Sequence, residues 1–256
     1  FDAVLLGIIQ GVTEFLPISS SGHLVIGNYI LGIESDNILF EVFVHLATLT
    51  AIIYYYKDDI IKMCRGIIYK EREHLDYLLL IIIATIPAVL TGLIFNNQIK
   101  NLYNIEWVSF FLLTTGTILF LSKFSKEIFC KLNYSHAFII GFSQALAILP
   151  GISRSGVTIA IALLLGVHRK EASKFSFFMA IPVITGALAL ELTNINQMES
   201  IPFYNLTAGF ITAAIIGYFS ISWLIKLINK LHFWKFSFYC WLLGSMLLLI
   251  NYYGRS

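Results

Sequence analysis

The chain has 256 residues, and only 12% of them are charged, half the ~25% that is usual in a soluble domain. Apolar residues make up 58%, and the mean hydropathy is +0.80. So few charges cannot cover the surface of a soluble fold, and a net charge of +2 gives no basic footprint for a phosphate backbone. The composition excludes a soluble enzyme, a disordered chain and a nucleic-acid binder, and indicates a polytopic membrane protein.

Long intervals without charged residues predict six helices that cross the membrane. A helix needs ~20 residues to cross the ~30 Å hydrocarbon core. The predicted crossings are 38–56, 77–95, 106–122, 175–193, 207–225 and 236–253. Two further apolar segments, 2–31 and 137–166, contain Pro, Gly and Ser clusters in their middle. We expect each of these two to be a re-entrant hairpin that enters and leaves on the same side.

The Lys and Arg residues between the segments support this arrangement. With both hairpins re-entrant, fourteen of these residues fall on one side, and only Lys100 and Arg255 fall on the other. The remaining one, Arg154, lies inside a hairpin. An excess of Lys and Arg marks the cytoplasmic side of a membrane protein. The pattern therefore predicts that both termini lie outside.

The two interrupted segments also indicate an internal repeat, although chance similarity between Gly- and Ser-rich segments is a competing explanation. At one constant offset, the recurring pairs are Gln10 and Gln144, Ser19 and Ser153, Ser21 and Ser155, and Gly22 and Gly156. Each half, 1–125 and 132–256, then has one hairpin and three crossings, and an odd number inverts the second half. We predict an all-α polytopic membrane protein: a single membrane domain of two inverted repeats, with its site where broken helices meet near the midplane.

The first break carries the string QGVTEFLPISSSGH over residues 10–23. Gln10 and Glu14 are four residues apart and share one face of a helix. Ser20 or a neighbouring serine, with His23 nearby, would form a nucleophile–base pair. Glu14 would accept a proton or hold a divalent cation that a diphosphate brings with it. This string therefore predicts the chemical half of an active site.

The second break carries the string LPGISRSGVT over residues 149–158. An arginine inside the membrane costs ~2.5–3.5 kcal/mol on insertion scales, so Arg154 marks a functional site by default. Together with backbone N–H groups at a helix start, its guanidinium would form an anion site suited to phosphate. The alternative is that the serines and glycines only allow helices to pack closely.

Glu41 and His45 lie four residues apart in the first predicted crossing. They predict either a pair that lines the cavity or a hydrogen-bonded pair in the interior.

Both strings resemble the signature motifs of the undecaprenyl-diphosphate phosphatase family, the bacitracin-resistance type of membrane phosphatase. In that family an (E/Q)xxxE motif runs into FLPxSSxGH, and a second motif reads PGxSRSGxT. Both are nearly intact here, and the first has its Gln variant at Gln10. The resemblance covers the whole chain in length, repeat and span pattern.

The resemblance implies hydrolysis of undecaprenyl diphosphate to undecaprenyl phosphate and inorganic phosphate, which recycles the lipid carrier for cell-wall synthesis. It also implies the bacterial inner membrane, an active site that opens to the outer, periplasmic face, and contact with membrane lipid; a homodimer is a candidate assembly. The catalytic residues it implies are Glu14, Ser20, His23 and Arg154. The substrate-binding residues it implies are Gln10, Ser19, Ser21, Ser153, Ser155 and Thr158.

Several alternatives stay open at this point. The nucleophile is Ser20, His23 or a water molecule, and a Mg²⁺ or Ca²⁺ ion bridging Glu14 and the diphosphate is an expectation. Gln10 removes one carboxylate, which weakens any mechanism that chelates a metal with two carboxylates on that face. The competing function is an anionic prenyl-lipid transporter or flippase that uses the same anion site, because inverted repeats with broken helices are typical of transporters.

Overall fold

A computed structural model describes residues 2–32, 38–126, 130–192 and 202–254. Within these ranges the chain forms eleven α-helices. They are α1 (Asp2–Thr13), α2 (Ser20–Leu31), α3 (Ile38–Tyr55), α4 (Lys57–Ile68), α5 (Arg72–Lys100), α6 (Ile105–Leu121), α7 (Tyr134–Leu146), α8 (Arg154–Leu164), α9 (Arg169–Leu192), α10 (Phe203–Asn229) and α11 (Phe236–Gly254).

Each of the six predicted crossings coincides with one of these helices. In the described part of the chain, α5, α6, α9, α10 and α11 are long and apolar enough to cross a membrane. The sixth, α3, joins α4 at a bend of 74°, and the two pass the same test only together. The prediction of an all-α polytopic membrane protein is confirmed. Arg255, which entered the charge count, lies outside the described residues.

Helix α4 lies between two predicted crossings, in a stretch that the charge count treats only as a connection. Its sequence, KDDIIKMCRGII, alternates charged and apolar residues at helical spacing. Ile60 and Met63 pack against the main hydrophobic core. The ammonium group of Lys174 on α9 donates to the Asp59 carboxylate at 2.5 Å. Such an amphipathic helix is typical of one that lies in the plane of the membrane surface.

The two interrupted segments fold as pairs of short helices. Helices α1, α2, α7 and α8 have 11 to 13 residues each, so each is about 16–20 Å long, less than the ~30 Å hydrocarbon core. Helix α1 packs against α2, and α7 packs against α8. Each interrupted segment is therefore a hairpin of two half-length helices, as the Pro, Gly and Ser clusters predict.

The hairpins pack on long helices of the opposite half. Helix α1 lies along α10, and α7 lies along α5; α3 also contacts α9, and α6 contacts α11. In the predicted repeat α1 corresponds to α7, and α5 corresponds to α10. The contact of α1 with α10 is therefore the counterpart of the contact of α7 with α5, as expected for two halves related by a two-fold axis. The boundaries of the repeat and its inversion across the membrane stay predictions.

The breaks of the two hairpins meet in the interior. The Ser19 hydroxyl accepts the N–H of Gly22, which caps α2, at 3.3 Å, and the N–H of Gly151 at 3.1 Å. Gly151 has a φ of 100°, and a Cβ there would lie 2.6 Å from the carbonyl oxygen of Val108. Only glycine fits this crossing point without strain.

Two further hydroxyls join the crossing. Thr115 on α6 accepts the N–H of Ser153 at 3.1 Å and donates to the carbonyl of Gly151 at 2.9 Å. The Ser155 hydroxyl donates to the carbonyl of Phe15 at 3.0 Å. These bonds satisfy backbone N–H and carbonyl groups that have no partner within a helix. Non-helical backbone at membrane depth requires such partners, because lipid cannot supply them. They also fix the start of α8 against the end of α1.

Candidate active site

The Glu14 carboxylate is the centre of the site. It lies just after α1, and the residue is only 8% exposed. Its Oε2 accepts the Ser20 hydroxyl at 2.6 Å and the Gln10 side-chain amide at 3.2 Å. Its Oε1 accepts Nη2 of Arg154 at 2.7 Å. A buried carboxylate needs such partners, because an unpaired charge in a low-dielectric interior is costly.

Arg154 is the first residue of α8, directly after the helix cap Ser153. One end of its guanidinium binds Glu14, but Nη1 is buried and has no hydrogen-bond partner among the described residues. A buried guanidinium nitrogen without a partner is costly unless a ligand fills its place. It lies at a helix N-terminus, where backbone N–H groups and the helix dipole favour an anion. The arrangement is suited to an oxygen of a phosphate group.

Ser20 is the first residue of α2, so its hydroxyl also lies at a helix N-terminus. The helix is capped by Ser19, whose φ of 70° is unusual for a residue other than glycine. This conformation starts α2 directly after the break and brings the Ser20 hydroxyl back to the Glu14 carboxylate. The strained backbone therefore holds the Ser20 hydroxyl and the Glu14 carboxylate in hydrogen-bond contact.

These groups line a cavity of about 270 Å³ between the two hairpins and helices α3 and α9. The described polar residues in its wall are Thr13, Glu14, Ser20, Ser21, Glu41, His45, Tyr103, Gln144, Ser153 and Arg154. The rest of the wall is apolar, with residues such as Val183 and Leu188 of α9. A wall that combines charged and apolar residues is suited to an amphiphile with an anionic head.

Glu41 and His45 both line the cavity, as the first of their two sequence interpretations predicts. His45 Nδ1 is 2.8 Å from the carbonyl of Glu41, and a carbonyl can only accept, so Nδ1 is the donor. His45 Nε2 then faces Glu14, 3.9 Å from Oε2. His45 is therefore a second group that could take a proton within the cavity.

His23 points to another part of the molecule. Its Nδ1 donates to the carbonyl of Ser19 at 2.8 Å, and its Nε2 is 2.7 Å from the hydroxyl of Tyr239 on α11. The two rings stack, with centroids 5.7 Å apart. His23 is not among the residues that line the cavity. The structure thus brings Glu14, Ser20 and Arg154 together and directs the His23 ring toward Tyr239.

Comparison with known proteins matches residues 3–246 to the family model "Bacitracin resistance protein BacA". The match covers nearly the whole chain, including both hairpins. The chain belongs to the BacA family. The motif resemblance in the sequence is confirmed by this match.

Named relatives agree with the BacA family assignment. The chain is 42% identical to an undecaprenyl-diphosphatase of Christiangramia forsetii, over 98% of each protein. It is 39% identical to one of Halothermothrix orenii, over 98% of this chain and 97% of the relative. It is 43% identical to one of Thermosipho africanus, over 97% of this chain and 99% of the relative. The similarity extends over whole chains and not over the motifs alone.

Four residues predicted to bind substrate lie behind the cavity wall of this BacA family member, and all four are buried: Gln10, Ser19, Ser155 and Thr158. Gln10 donates to Glu14 and lies 3.5 Å from the Thr48 hydroxyl. Thr158 bonds the carbonyl of Arg154 and the hydroxyl of Ser176. The remaining two predicted binding residues, Ser21 and Ser153, line the cavity. The geometry gives the buried four a supporting position beneath Glu14 and Arg154.

Three contacts of the site were not predicted from the sequence: Thr48 beside Gln10, Tyr103 in the cavity wall and Tyr239 against His23. Each lies on or beside a predicted crossing, outside the two motif strings. The sequence does not distinguish them, because a single polar residue in an apolar helix can face lipid, another helix or a cavity. Only the packing of the helices shows which of them face the site.

The residues of the cavity could hold a divalent cation only together with a phosphate. The described part of the chain has no group of three or more His, Cys, Asp or Glu side chains placed to bind a metal. Glu14 and Glu41 are the described carboxylates of the wall. Mg²⁺ is commonly held by one or two carboxylates, substrate phosphates and water. A cation that arrives with a diphosphate fits this donor set, whereas a protein cage does not.

Proposed function

We propose that this chain hydrolyses undecaprenyl diphosphate to undecaprenyl phosphate and inorganic phosphate, and so recycles the lipid carrier for cell-wall synthesis. The name of its relatives, undecaprenyl-diphosphatase, supports the substrate and the reaction. One observation in the structure carries the proposal. Glu14 accepts a short hydrogen bond from the Ser20 hydroxyl and forms an ion pair with Arg154, in a cavity whose wall combines polar and apolar residues.

The diphosphate binds where the structure offers positive charge without a partner. Nη1 of Arg154 and the first N–H groups of α2 and α8 would hold the terminal phosphoryl group. The first N–H groups of a helix have no partner within the helix, so they are available to an anion. Charge that develops on the phosphoryl oxygens in the transition state meets these fixed donors, which need no reorganisation.

Ser20 is the nucleophile that the geometry favours. Its oxygen attacks the terminal phosphorus while its proton passes to Glu14, and the bond to the departing undecaprenyl phosphate breaks. Glu14 gives the proton to the leaving oxygen. A water molecule then attacks the phosphoserine and loses a proton to Glu14, and Ser20 leaves with that proton as inorganic phosphate is released. A serine activated by a neighbouring base is a common route to covalent catalysis.

Of the two other nucleophiles, His23 is less well supported by its position. His23 has one ring nitrogen on the Ser19 carbonyl and the other on Tyr239, so neither is directed at the cavity. Direct attack by water activated by Glu14 would use the same residues without a phosphoserine. Trapping of phosphate on Ser20 separates these routes.

A Mg²⁺ or Ca²⁺ ion is proposed as a companion of the diphosphate, with Glu14 as its protein ligand. When bound, it would neutralise charge on the phosphates. The proposal is tested by measuring binding of the cation to the protein with and without the lipid diphosphate. Binding is expected only when the diphosphate is present.

The protein is an integral membrane protein of helices. We propose that it lies in the bacterial inner membrane with both termini outside and the active site open to the periplasmic face. The excess of Lys and Arg in the loops between the crossings supports this orientation. A homodimer is proposed as its assembly, and a mass measurement in detergent tests it.

The experiment that tests the function is release of inorganic phosphate from undecaprenyl diphosphate by the purified protein in detergent. Release at a rate proportional to protein supports a hydrolase. The competing transporter would move the lipid across a liposome without releasing phosphate, and the names of the relatives give it no support. No phosphate release from folded protein, with or without added Mg²⁺ or Ca²⁺, would overturn the proposal.

A further inference from the structure

Two grooves continue from the active-site cavity along helices α5 and α9. The near groove, about 350 Å³, shares Glu41, Tyr103 and Val183 with the cavity. The far groove, about 420 Å³, shares Val89 with the near groove and extends to Met63 on α4. The near groove therefore borders the cavity, and the far groove borders the near groove at Val89.

The wall of the far groove has the chemistry of a hydrocarbon site. Its lining residues are apolar apart from Thr85. The Thr85 hydroxyl donates to the carbonyl of Ile81 at 2.7 Å, so this side chain presents its methyl group. Phe178 and Pro182 of α9 form the opposite wall. A polar head or a peptide backbone would lose hydrogen bonds in such a groove, whereas an alkyl or prenyl chain would not.

The length of the path matches the membrane. On α5 the lining residues run from Leu78 in the far groove to Lys100 in the near groove. At the rise of an α-helix this stretch is about 33 Å long, close to the ~30 Å thickness of a hydrocarbon core. A chain that follows this path would therefore run along most of the thickness of the hydrocarbon core.

The packing of the helices is open on this side. Helix α3 packs closely along α10, whereas the corresponding pair in the predicted repeat, α9 and α5, is parted by the two grooves. α5 also departs from helical geometry at Phe95, beside Asn96 in the near groove. One side of the molecule is thus closed, and the other has two grooves beside the site. The far groove is apolar, whereas the near groove also carries Glu41, Asn96, Lys100 and Tyr103.

We propose that the far groove binds the distal part of the prenyl tail and makes the enzyme select long-chain diphosphates over short ones. The proposal rests on the proposed function. A diphosphate held by Arg154 leaves its tail in the cavity, and the near groove is the path that shared residues connect to the cavity. The far groove is the continuation of that path, so its occupant is the tail of the bound substrate and not a separate lipid.

The test compares two substrates and two tryptophan variants. Ile86 lines the far groove and is 49% exposed, and Ile86→Trp would fill the groove. Leu79 lies on the same helix, is 46% exposed and is not in the groove wall, so Leu79→Trp is the matched control. Each protein is assayed in detergent with undecaprenyl diphosphate and with farnesyl diphosphate, whose much shorter tail is expected to end before the far groove.

We expect Ile86→Trp to raise KM for undecaprenyl diphosphate and so to lower kcat/KM about fivefold. The effect is modest because the displaced tail would lie in detergent and not in water, so it loses only its packing contacts with the groove. The value for farnesyl diphosphate should stay that of the unmodified protein, which also shows that the variant is folded. Leu79→Trp should leave both values unchanged. Equal effects of Ile86→Trp on both substrates, no effect on either, or the same loss in Leu79→Trp would each overturn the tail site.

A second readout does not depend on turnover. A photoreactive benzophenone residue at position 86 should crosslink to radiolabelled undecaprenyl diphosphate, and excess unlabelled farnesyl diphosphate should reduce the crosslink by competing at the shared head site. A crosslink that the competitor leaves unchanged would identify bulk lipid and overturn the proposal. If the unmodified protein hydrolyses neither diphosphate, the proposed function fails instead, so the two failures are distinguishable.

Discussion

The hydroxyl of Ser20 lies 2.6 Å from the carboxylate of Glu14, although six residues and the break between two helices separate them in the chain. Ser20 can reach back because α2 starts at the break, with its cap Ser19 in a left-handed conformation. The same carboxylate holds Arg154 from the other hairpin. One buried carboxylate thus contacts a hydroxyl of its own hairpin and a guanidinium of the other hairpin.

The role of Glu14 as a base is tested by Glu14→Gln, which keeps the size of the side chain. We expect kcat to fall by about 10²–10⁴, the range typical of a lost general base. Phosphate release from undecaprenyl diphosphate measures the effect. A Glu14→Gln protein with full kcat would show that the proton goes elsewhere.

The ion pair of Arg154 and Glu14 predicts a specific pattern of stability. Arg154→Gln leaves a buried carboxylate without its cation, and we expect a loss of about 3–5 kcal/mol in the free energy of unfolding. Adding Glu14→Gln should restore most of that stability, because the lone charge is removed as well. Thermal unfolding in detergent measures both variants. The double variant should remain inactive, so a recovery of phosphate release would contradict the site.

The geometry at Gly151 predicts that any larger residue there lowers the stability of the fold, because the breaks of the two hairpins cross at this point. Gly151→Ala places a methyl group against the Val108 carbonyl in a backbone conformation that disfavours a side chain, so we expect a loss of at least about 1–2 kcal/mol. Gly186→Ala is the matched control, since a Cβ there meets nothing within 4 Å. Thermal unfolding of the two variants gives the comparison. Equal stability of both would show that the crossing is looser than the geometry indicates.

The position of His23 predicts that it holds the start of α2 and transfers no proton in the cavity. His23→Gln should lower kcat by disturbing the contacts with Ser19 and Tyr239, without altering the shape of the pH–rate profile. Tyr239→Phe should cause a smaller loss of the same kind. If His23→Gln removed one limb of the profile, His23 would be the general base or acid after all.

The proposed orientation can be measured with a native residue. Cys64 on α4 is exposed and lies on the side predicted to be cytoplasmic. A thiol reagent that cannot cross membranes should label Cys64 in inside-out vesicles and should not label it in spheroplasts. Cys130 is partly exposed and lies on the same predicted side, so the labelling is done in a Cys130→Ser background. There Cys64→Ser should remove the label, which identifies the residue. Labelling in spheroplasts and not in inside-out vesicles would show that the protein has the opposite orientation.

The sequence predicts the helices and the meeting of the two motifs. The six crossings could be placed because apolar intervals of membrane length are a strong signal, and their helices begin within a few residues of the predicted bounds. The predicted convergence of Glu14, His23 and Arg154, with Ser20 beside them, depends on the repeat and on the motif resemblance. The structure places Glu14 in direct contact with Ser20 and with Arg154, whereas the His23 ring lies against Tyr239. Their catalytic roles stay predictions.

Other features depend on packing that a sequence does not state. Helix α4 is too short and too charged for a span signal, so only its contacts with the core distinguish it from a connection. The direction of the His23 ring follows from a tyrosine more than 200 residues away. The contribution of His45 to the cavity depends on how α3 is rotated toward the hairpins. Periodicity cannot fix that rotation in a helix that is apolar on most faces.

Phosphate release from undecaprenyl diphosphate by purified protein, with Ser20→Ala compared with Ser222→Ala, tests the central claim most directly. Both serines are half-buried at helix positions, but the Ser222 hydroxyl bonds only to its own helix, at the Tyr218 carbonyl. We predict rapid release by the unmodified protein and by Ser222→Ala, and a loss of at least about 10²-fold in Ser20→Ala. Undiminished release by Ser20→Ala would contradict the account.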